Sequence, residues 1–520
     1  MTKKQFWIWI AGVFIMSLIL RFWGLDRFNT LVFDEVYFAK FGNNYLTGTP
    51  FFNAHPPLSQ YIIGIGIWIG KRIPFWQNPV NGLTGSILSP WSYRWVNALT
   101  GSLIPIVVAE IAYQISYRRR FAVLAGFFTA CDGLFLVESR YALNNIYIVI
   151  FGLLGQWCLL VAVNQSKGKG KRHLWLILSG IFFGASVGTK WNGLWFLVAV
   201  YLLWITAWII NWLQQKSQNL QYLYEQSPTE ESITTDFVVK EENQNKKISS
   251  TRLWNQTLPD KTLKTPLENL AQINILQMFA YLGVIPVIIY SIIWIPHLQL
   301  DKRFDFIEVH KQIWGFHNRL GGNTAEVHPY CAAWNTWPLM IRPMAYYYQT
   351  AVNARDPLPV LGPPLPANTA QVIYDVHAMG NPILWWLGLT AIFFIAAMVA
   401  WQLLSPSIIQ QHLAIPENIS TDVWIGLYLV INYLTNFLPW VKVTRCVFLY
   451  HYMCAVVFLF IAIAWFVDQC FRSSHKELRP IGIAISSLIV IFFIFWMPIY
   501  LGLPIPANLY RTWMWVDTWI

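Results

Sequence analysis

Charge is what this sequence has least of. Asp, Glu, Lys and Arg make up only 12% of its 520 residues, about half the share a soluble protein of this size carries. An ordinary water-soluble fold is excluded. With 56% hydrophobic residues, 29 Trp and a mean hydropathy of +0.43, a bilayer is the natural solvent. The net charge of +11 does not point to nucleic acid, because too little polar surface is left for such a partner. Basic residues in a membrane protein instead concentrate in cytoplasmic loops and fix orientation. The six cysteines include no CxxC and no metal-ligand spacing; most lie in apolar runs and read as small hydrophobes rather than a disulfide framework. "GKGKR" at 168–172 lacks the GxxxxGK[ST] spacing of a phosphate loop. No internal repeat is visible. No small-residue cleavage site follows the first apolar run, so that run is expected to stay as a helix.

Apolar stretches of the roughly 17–25 residues needed to cross a bilayer lie at 6–25, 93–115, 120–138, 141–163, 173–189, 191–212, 273–296, 382–404, 422–440, 446–468 and 480–502. The expected fold is an all-α polytopic membrane protein of about eleven transmembrane helices. The short Gly-rich stretch 58–70 is expected to be interfacial or re-entrant. Lys3 and Lys4, "RRR" at 118–120, "SKGKGKRH" at 166–173 and "RSSHKELR" at 472–479 all fall in alternate loops. The positive-inside rule places them, with the N-terminus, in the cytoplasm and the C-terminus outside. The chain divides into a membrane half at 1–212 with an outer loop at 26–92, a polar cytoplasmic insertion at 213–272, a helix plus long outer loop at 273–381, and a second membrane half at 382–520. The insertion is expected to be disordered or loosely helical, and the outer segment 297–381, dense in Pro, Trp, Tyr and His, ordered.

The unusual polar residues collect on the outer face: "FDEVYFAKF" (33–41), "FFNAHPPLSQ" (51–60), "ESRYALNN" (138–145), "GTKWNG" (188–193), "HPYCAAWNTWPLMIRPMAYYY" (328–348) and "VKVTR" (441–445). Arg21 and Arg94 end and begin helices there. Each has a plain alternative. Arg21, Arg94 and Arg445 could snorkel to headgroups; Lys190 could belong to a turn, Glu138 and Arg140 to a structural pair, and His55 to a cap. Asp34 and Glu35 could be a solvated pair at a helix start. Ionised groups at a membrane surface are nonetheless costly enough to point to use. A carboxylate beside several cations suits group transfer from an anionic lipid carrier. The carboxylate takes a proton from an attacking hydroxyl, and the cations stabilise the departing phosphate. Adjacent side chains point apart in a helix or strand, so Asp34 and Glu35 should differ in role.

"FDEVYFAKF", "FFNAHPPL", "ESRYAL", "GTKWNGLW", "HPY" with "WPLMIRP", and "TRCVFLYHY" together resemble the protein O-mannosyltransferase family, multi-span glycosyltransferases of the C type. The resemblance runs in order over nearly the whole chain. It implies an inverting, single-displacement transfer of mannose from a polyprenyl-phosphate-mannose lipid to Ser or Thr of translocating proteins. Asp34 would be the general base, and Glu35 would orient the acceptor or the loop. Arg94 and Lys190, with Arg21, Arg140 and Arg445, would hold the donor phosphate. His55, Glu138 and His328 would shape the acceptor side or its loops. No cofactor is firmly implied and no metal is expected. The partners would be the lipid donor, secreted or membrane proteins bearing Ser or Thr, the bilayer, and the translocation machinery, with no nucleic acid. The location would be the cell inner (plasma) membrane.

This chain departs from the family in having Asn53-Ala54 where Asp-Val often precedes HPPL, which weakens a role for a second carboxylate there. Its outer segment is too short for the large β-trefoil domain of eukaryotic members. The nearest alternative is transfer of another carrier-linked sugar to a lipid or glycan. A transporter is more remote, because the charges sit at helix ends on one side.

Overall fold

The computed structural model describes residues 1–165, 169–226, 265–324, 326–361, 365, 369–410, 416 and 418–520. In chain order the helices of the first half are α1 (Lys3–Phe22), α2 (Glu35–Thr47), α3 (Leu58–Gly70), α4 (Pro90–Ser116), α5 (Arg119–Ala130), α6 (Gly133–Arg140), α7 (Asn145–Asn164), α8 (Lys169–Val187) and α9 (Leu194–Gln226). Then come α10 (Pro266–Ala271), α11 (Ile275–Phe279), α12 (Ile285–Leu300), α13 (Phe306–Arg319), α14 (Pro382–Gln410), α15 (Thr421–Phe437), α16 (Met453–Arg472) and α17 (Leu478–Leu501). A π-helical turn, Ala280–Val284, joins α11 to α12 as one span.

Each of the eleven apolar stretches falls on a helix. Among the described residues, eight helices are long and apolar enough to cross a bilayer, and the bent pair α5–α6 makes a ninth. The remaining two stretches fall on α8, which opens with the polar "KGKRH", and on α15, which has only 17 residues. The chain is a multi-pass membrane protein. Within it α16 is central, with 83% of its apolar window buried against 22% for α17. Exposed Ile481, Ile483, Ile491 and Ile494 make the outer wall of α17.

The 60° bend between α5 and α6 has a local cause. Asp132 caps α6 by accepting from Phe135 N at 2.9 Å, and also accepts from Asn381 N and Trp385 Nε1. Gly133 lies so close to the Tyr500 ring that a Cβ would sit 2.2 Å from it. The bend aims Glu138 and Arg140 inward. The stretch 58–70 is α3, a 13-residue helix too short to cross, packed on α2 and α4.

The all-α membrane architecture holds; one feature adds to it and one corrects an expectation. First, a small sheet lies outside the membrane-spanning helices. β1 (Met344–Ala351) pairs antiparallel with β2 (Val372–Ala378), which pairs with β3 (Ile505–Pro506) near the C-terminus. The β-branched and aromatic residues of "MAYYYQTA" and "VIYDVHA" favour this. A bulge leaves Tyr346 without a partner on β2. Second, Cys331 and Cys446, expected as small hydrophobes rather than a disulfide, form one with Cα atoms 5.2 Å apart, tying the loop between α13 and β1 to the turn before α16. Of the 213–272 insertion, residues to 226 continue α9 and 265–272 include α10, which packs on α9; the rest lies outside the described residues.

Candidate active site

The DE pair divides as the geometry of a helix start requires. Phe33 has φ +52°, a left-handed conformation costly for a bulky residue, and its ring stacks on Tyr346 at 4.2 Å. This sharp turn, closed by Glu35 N to Val32 O at 3.1 Å, sends the two carboxylates in opposite directions. Glu35 is fully buried. Its Oε1 accepts from Arg94 Nε at 2.9 Å and Ala142 N at 2.8 Å; its Oε2 accepts from Arg94 Nη2 at 2.7 Å and Val32 N at 2.8 Å. Arg94 gives its other hydrogens to the carbonyls of Leu25, Phe28 and Thr30 at 2.7–2.9 Å.

The expectation for Arg94 changes, and of the two roles expected for Glu35 the loop-orienting one fits. All five N–H groups of Arg94 are taken, so it holds the 25–30 loop rather than a phosphate. Glu35 orients the loop and cannot touch a substrate.

Asp34 faces the other way. It stands at the start of α2 without capping it, and its carboxylate takes no hydrogen bond from the described residues. It is half-buried. Burial pushes its pKa up to about 6, against the opposing pull of the Lys190 ammonium. The idle solvated pair is thereby excluded. One carboxylate is locked in the core and the other is open.

Lys190 sits in the turn after α8, in extended backbone. Its Nζ donates to Asn145 Oδ1 at 3.2 Å and lies 5.3 Å from the centre of the Tyr450 ring. Burial first, then the Arg445 charge, lower its pKa to about 8. Arg445 is half-buried and gives one hydrogen bond, from Nη1 to Cys446 O at 3.0 Å. The Cys331–Cys446 bond and the Cys446 N to Gly321 O bond at 3.0 Å hold its backbone. Asn145 also donates to both Glu138 oxygens at 3.2 Å, and the bulged Tyr346 donates to Glu138 Oε1. Glu138 is fully buried and held on both oxygens. It positions Asn145, and through it Lys190.

His55 closes one wall. Its loop is shaped by Asn53 Oδ1, which accepts from His55 N at 3.2 Å, and by Leu58 N bonding Gly188 O beside Lys190. Asn53 thus serves a turn and places no second carboxylate there. The His55 ring lies 5.4 Å from that of His317 on α13, whose Nε2 donates to Ala54 O at 3.1 Å. Burial, with Lys190, His317 and Arg445 nearby, pushes His55 well below the usual histidine range; burial and Arg445 bring His317 to about 4. Both are neutral near pH 7, and His317 Nδ1 is buried without a partner.

The structure therefore brings Asp34, His55, Glu138, Lys190 and Arg445 together. It separates three other candidates. Arg140 caps the end of α1, donating to Leu20 O, Trp23 O and Gly24 O at 2.7–3.3 Å, and is no phosphate ligand. Arg21 is fully buried against Ser17, donating to its Oγ at 2.7 Å. His328 contacts Tyr330 and Phe448, outside this cluster. Sequence reasoning did not single out Asn145, Tyr346 or Tyr450, although all three lie inside the quoted motifs. Among the described residues no three His, Cys, Asp or Glu side chains are grouped to hold a metal.

Comparison with known proteins fits this arrangement. The family model described as dolichyl-phosphate-mannose-protein mannosyltransferase matches residues 11–228, and that for the C-terminal four TMM region of protein-O-mannosyltransferase matches 303–519. The polyprenol-phosphate-mannose–protein mannosyltransferase of Mycolicibacterium smegmatis is 21% identical over all of this chain and 94% of its own length. That of Corynebacterium glutamicum is also 21% identical with the same coverage. The S. cerevisiae protein O-mannosyltransferase complex, solved bound to the sugar donor, shares the fold at a TM-score of 0.71, with 15% identity over 100% of this chain and 93% of that one. With both of the family's regions matched in order, the chain belongs to the protein O-mannosyltransferase family.

Proposed function

We propose that this chain transfers mannose from a polyprenyl-phosphate-mannose lipid to Ser or Thr hydroxyls of proteins on the outer face of the cell inner (plasma) membrane. The observation that carries the proposal is the pairing of an open carboxylate, Asp34, with a buried ammonium, Lys190, whose charge it feels. The acceptor hydroxyl attacks the anomeric carbon from the face opposite the carrier. As the new C–O bond forms, Asp34 takes the hydroxyl proton. The bond from the anomeric carbon to the phosphate oxygen breaks, and its electron pair leaves with the lipid phosphate. Lys190 and Arg445 stabilise that growing negative charge. A phosphate leaving group needs little protonation, so no acid partner is required.

A single displacement inverts the anomeric centre. Retention would need a carboxylate nucleophile, and Glu138, the second carboxylate here, is buried and held by Asn145 and Tyr346. The disulfide between outer loops supports the outward orientation, since such bonds persist in oxidising compartments. Acceptors met as they emerge would make the translocation machinery a further partner, and the basic loops support a cytoplasmic N-terminus.

The test is reconstituted chain with polyprenyl-phosphate mannose and a Ser/Thr peptide, followed by mass spectrometry and NMR of the product. A hexose on the hydroxyl, of anomeric configuration opposite to the donor's, is expected. Transfer only to lipid, transfer of another sugar alone, or retained configuration would contradict the proposal.

A further inference from the structure

A second polar cavity lies at the other end of the bundle from the catalytic cleft. Met1 ahead of α1, the last turn of α4, the start of α5 and the last turn of α16 line an open depression of about 320 Å³. The opposite ends of α4 and α16 carry Arg94 and Cys454, next to the active site, so the bilayer's thickness separates the two. Arginines at 118, 119, 120 and 472 line the cavity together with Asp468.

These charges are not balanced among themselves. Arg118 is committed elsewhere, donating to both oxygens of Asp422 at 2.5 and 2.9 Å; Trp465 and Gln469 complete that carboxylate's partners. Arg119 reaches a main-chain carbonyl, Met1 O, at 3.2 Å, and Arg120 lies over the Phe471 ring. Among the described residues, Arg119, Arg120 and Arg472 make no ion pair. Asp468 is 1% exposed, and its Oδ2 is buried with no hydrogen-bond partner. The start of α5 has no side-chain cap, so its first N–H groups add positive potential. A buried carboxylate with an unused acceptor thus shares the lining with three arginines that make no ion pair among the described residues.

The charge balance selects the ligand. Three uncommitted arginines against one carboxylate leave an excess of at least two positive charges, to which the Met1 α-ammonium in the same lining adds. A zwitterionic headgroup would leave that excess uncompensated, whereas an anionic one reduces it. Asp468 in turn needs a hydrogen-bond donor, which a headgroup hydroxyl supplies. The cavity opens beside Tyr117, 47% exposed, and α1 nearby presents Trp7 and Ile8, both more than half exposed. An aromatic residue at this level and an apolar flank suit a ligand with acyl chains.

We propose that this cavity binds the headgroup of an anionic glycerophospholipid of the phosphatidylglycerol type. Arg119, Arg120 and Arg472 receive the phosphate, and Asp468 accepts from the headgroup hydroxyl.

The test is native mass spectrometry of the full chain released from nanodiscs of phosphatidylcholine mixed with phosphatidylglycerol, phosphatidylethanolamine or phosphatidic acid. Preferential retention of phosphatidylglycerol is expected. The double variant Arg120→Gln/Arg472→Gln alters two exposed side chains that make no hydrogen bond or ion pair among the described residues. It should lower that retention about ten- to thirty-fold. Asp468→Asn should narrow the preference for phosphatidylglycerol over phosphatidic acid, which has no headgroup hydroxyl. Equal retention of phosphatidylcholine or phosphatidylethanolamine, or undiminished retention by the double variant, would overturn the proposal. Displacement of the lipid by free glycerol 3-phosphate would also overturn it, assigning the site to a soluble phosphate ester.

Discussion

Replacing Glu35 by Gln changes one atom type in a side chain next to the proposed base, yet its effect should fall on folding. Each Glu35 oxygen accepts two hydrogen bonds: Oε1 from Arg94 and Ala142, Oε2 from Arg94 and Val32. An amide puts an NH₂ where one oxygen was, so two of the four bonds become donor facing donor. Arg94, fully buried, also loses its only ion-pair partner among the described residues. Breaking one side of a buried pair costs about 3–5 kcal/mol, a large part of the roughly 5–15 kcal/mol that keeps a typical protein folded. Asp34→Asn has no protein hydrogen bond to lose and should stay within about 0.5 kcal/mol of the parent. Thermal unfolding in detergent, followed by tryptophan fluorescence, separates the two. Glu35→Gln should unfold at a clearly lower temperature and yield less folded protein, while Asp34→Asn unfolds as the parent does. A Glu35→Gln protein of parental stability but without turnover would refute this assignment and make Glu35 a catalytic residue.

Other outcomes follow from the same geometry. The kcat/KM profile should be bell-shaped, because Asp34 can take a proton only above its pKa of about 6 and Lys190 is charged only below about 8; a profile flat from pH 5 to pH 9 would contradict both roles. Lys190→Ala should lower turnover about 10²–10³-fold, as loss of one preorganised donor does, and abolish the alkaline limb. Paired Cys331→Ser and Cys446→Ser changes should cost about 2–5 kcal/mol and loosen Arg445, raising the KM for the lipid donor, as measured by thermal unfolding and steady-state kinetics.

Much of the site was legible in the sequence because its residues break local rules. Two carboxylates in an aromatic helix start, and a lysine between two helices with almost no loop, cost too much to be incidental. That they diverge follows from the geometry of adjacent residues; that they point in opposite directions comes from the turn at Phe33. What could not be read was which cation was spent. Arg94 and Lys190 look equivalent in the sequence, each at a helix boundary. They differ because the carbonyls of residues 25, 28 and 30 converge on Arg94, and carbonyls leave no trace in a side-chain pattern. Arg140 is similar, spent on the end of α1. The helices were legible from long apolar runs. The strands were not, since β1 and β2 sit in a loop whose aromatic residues suit several structures. Cys331 and Cys446 are 115 residues apart, and only the folded chain brings them together.

The most direct measurement is the rate at which the Asp34→Asn protein, folded and reconstituted, moves mannose from polyprenyl-phosphate mannose to a Ser/Thr peptide. If Asp34 is the base, the rate falls at least about 10²-fold, while donor binding, set by Lys190 and Arg445, changes little. Parental turnover in that variant would contradict the mechanism at its centre.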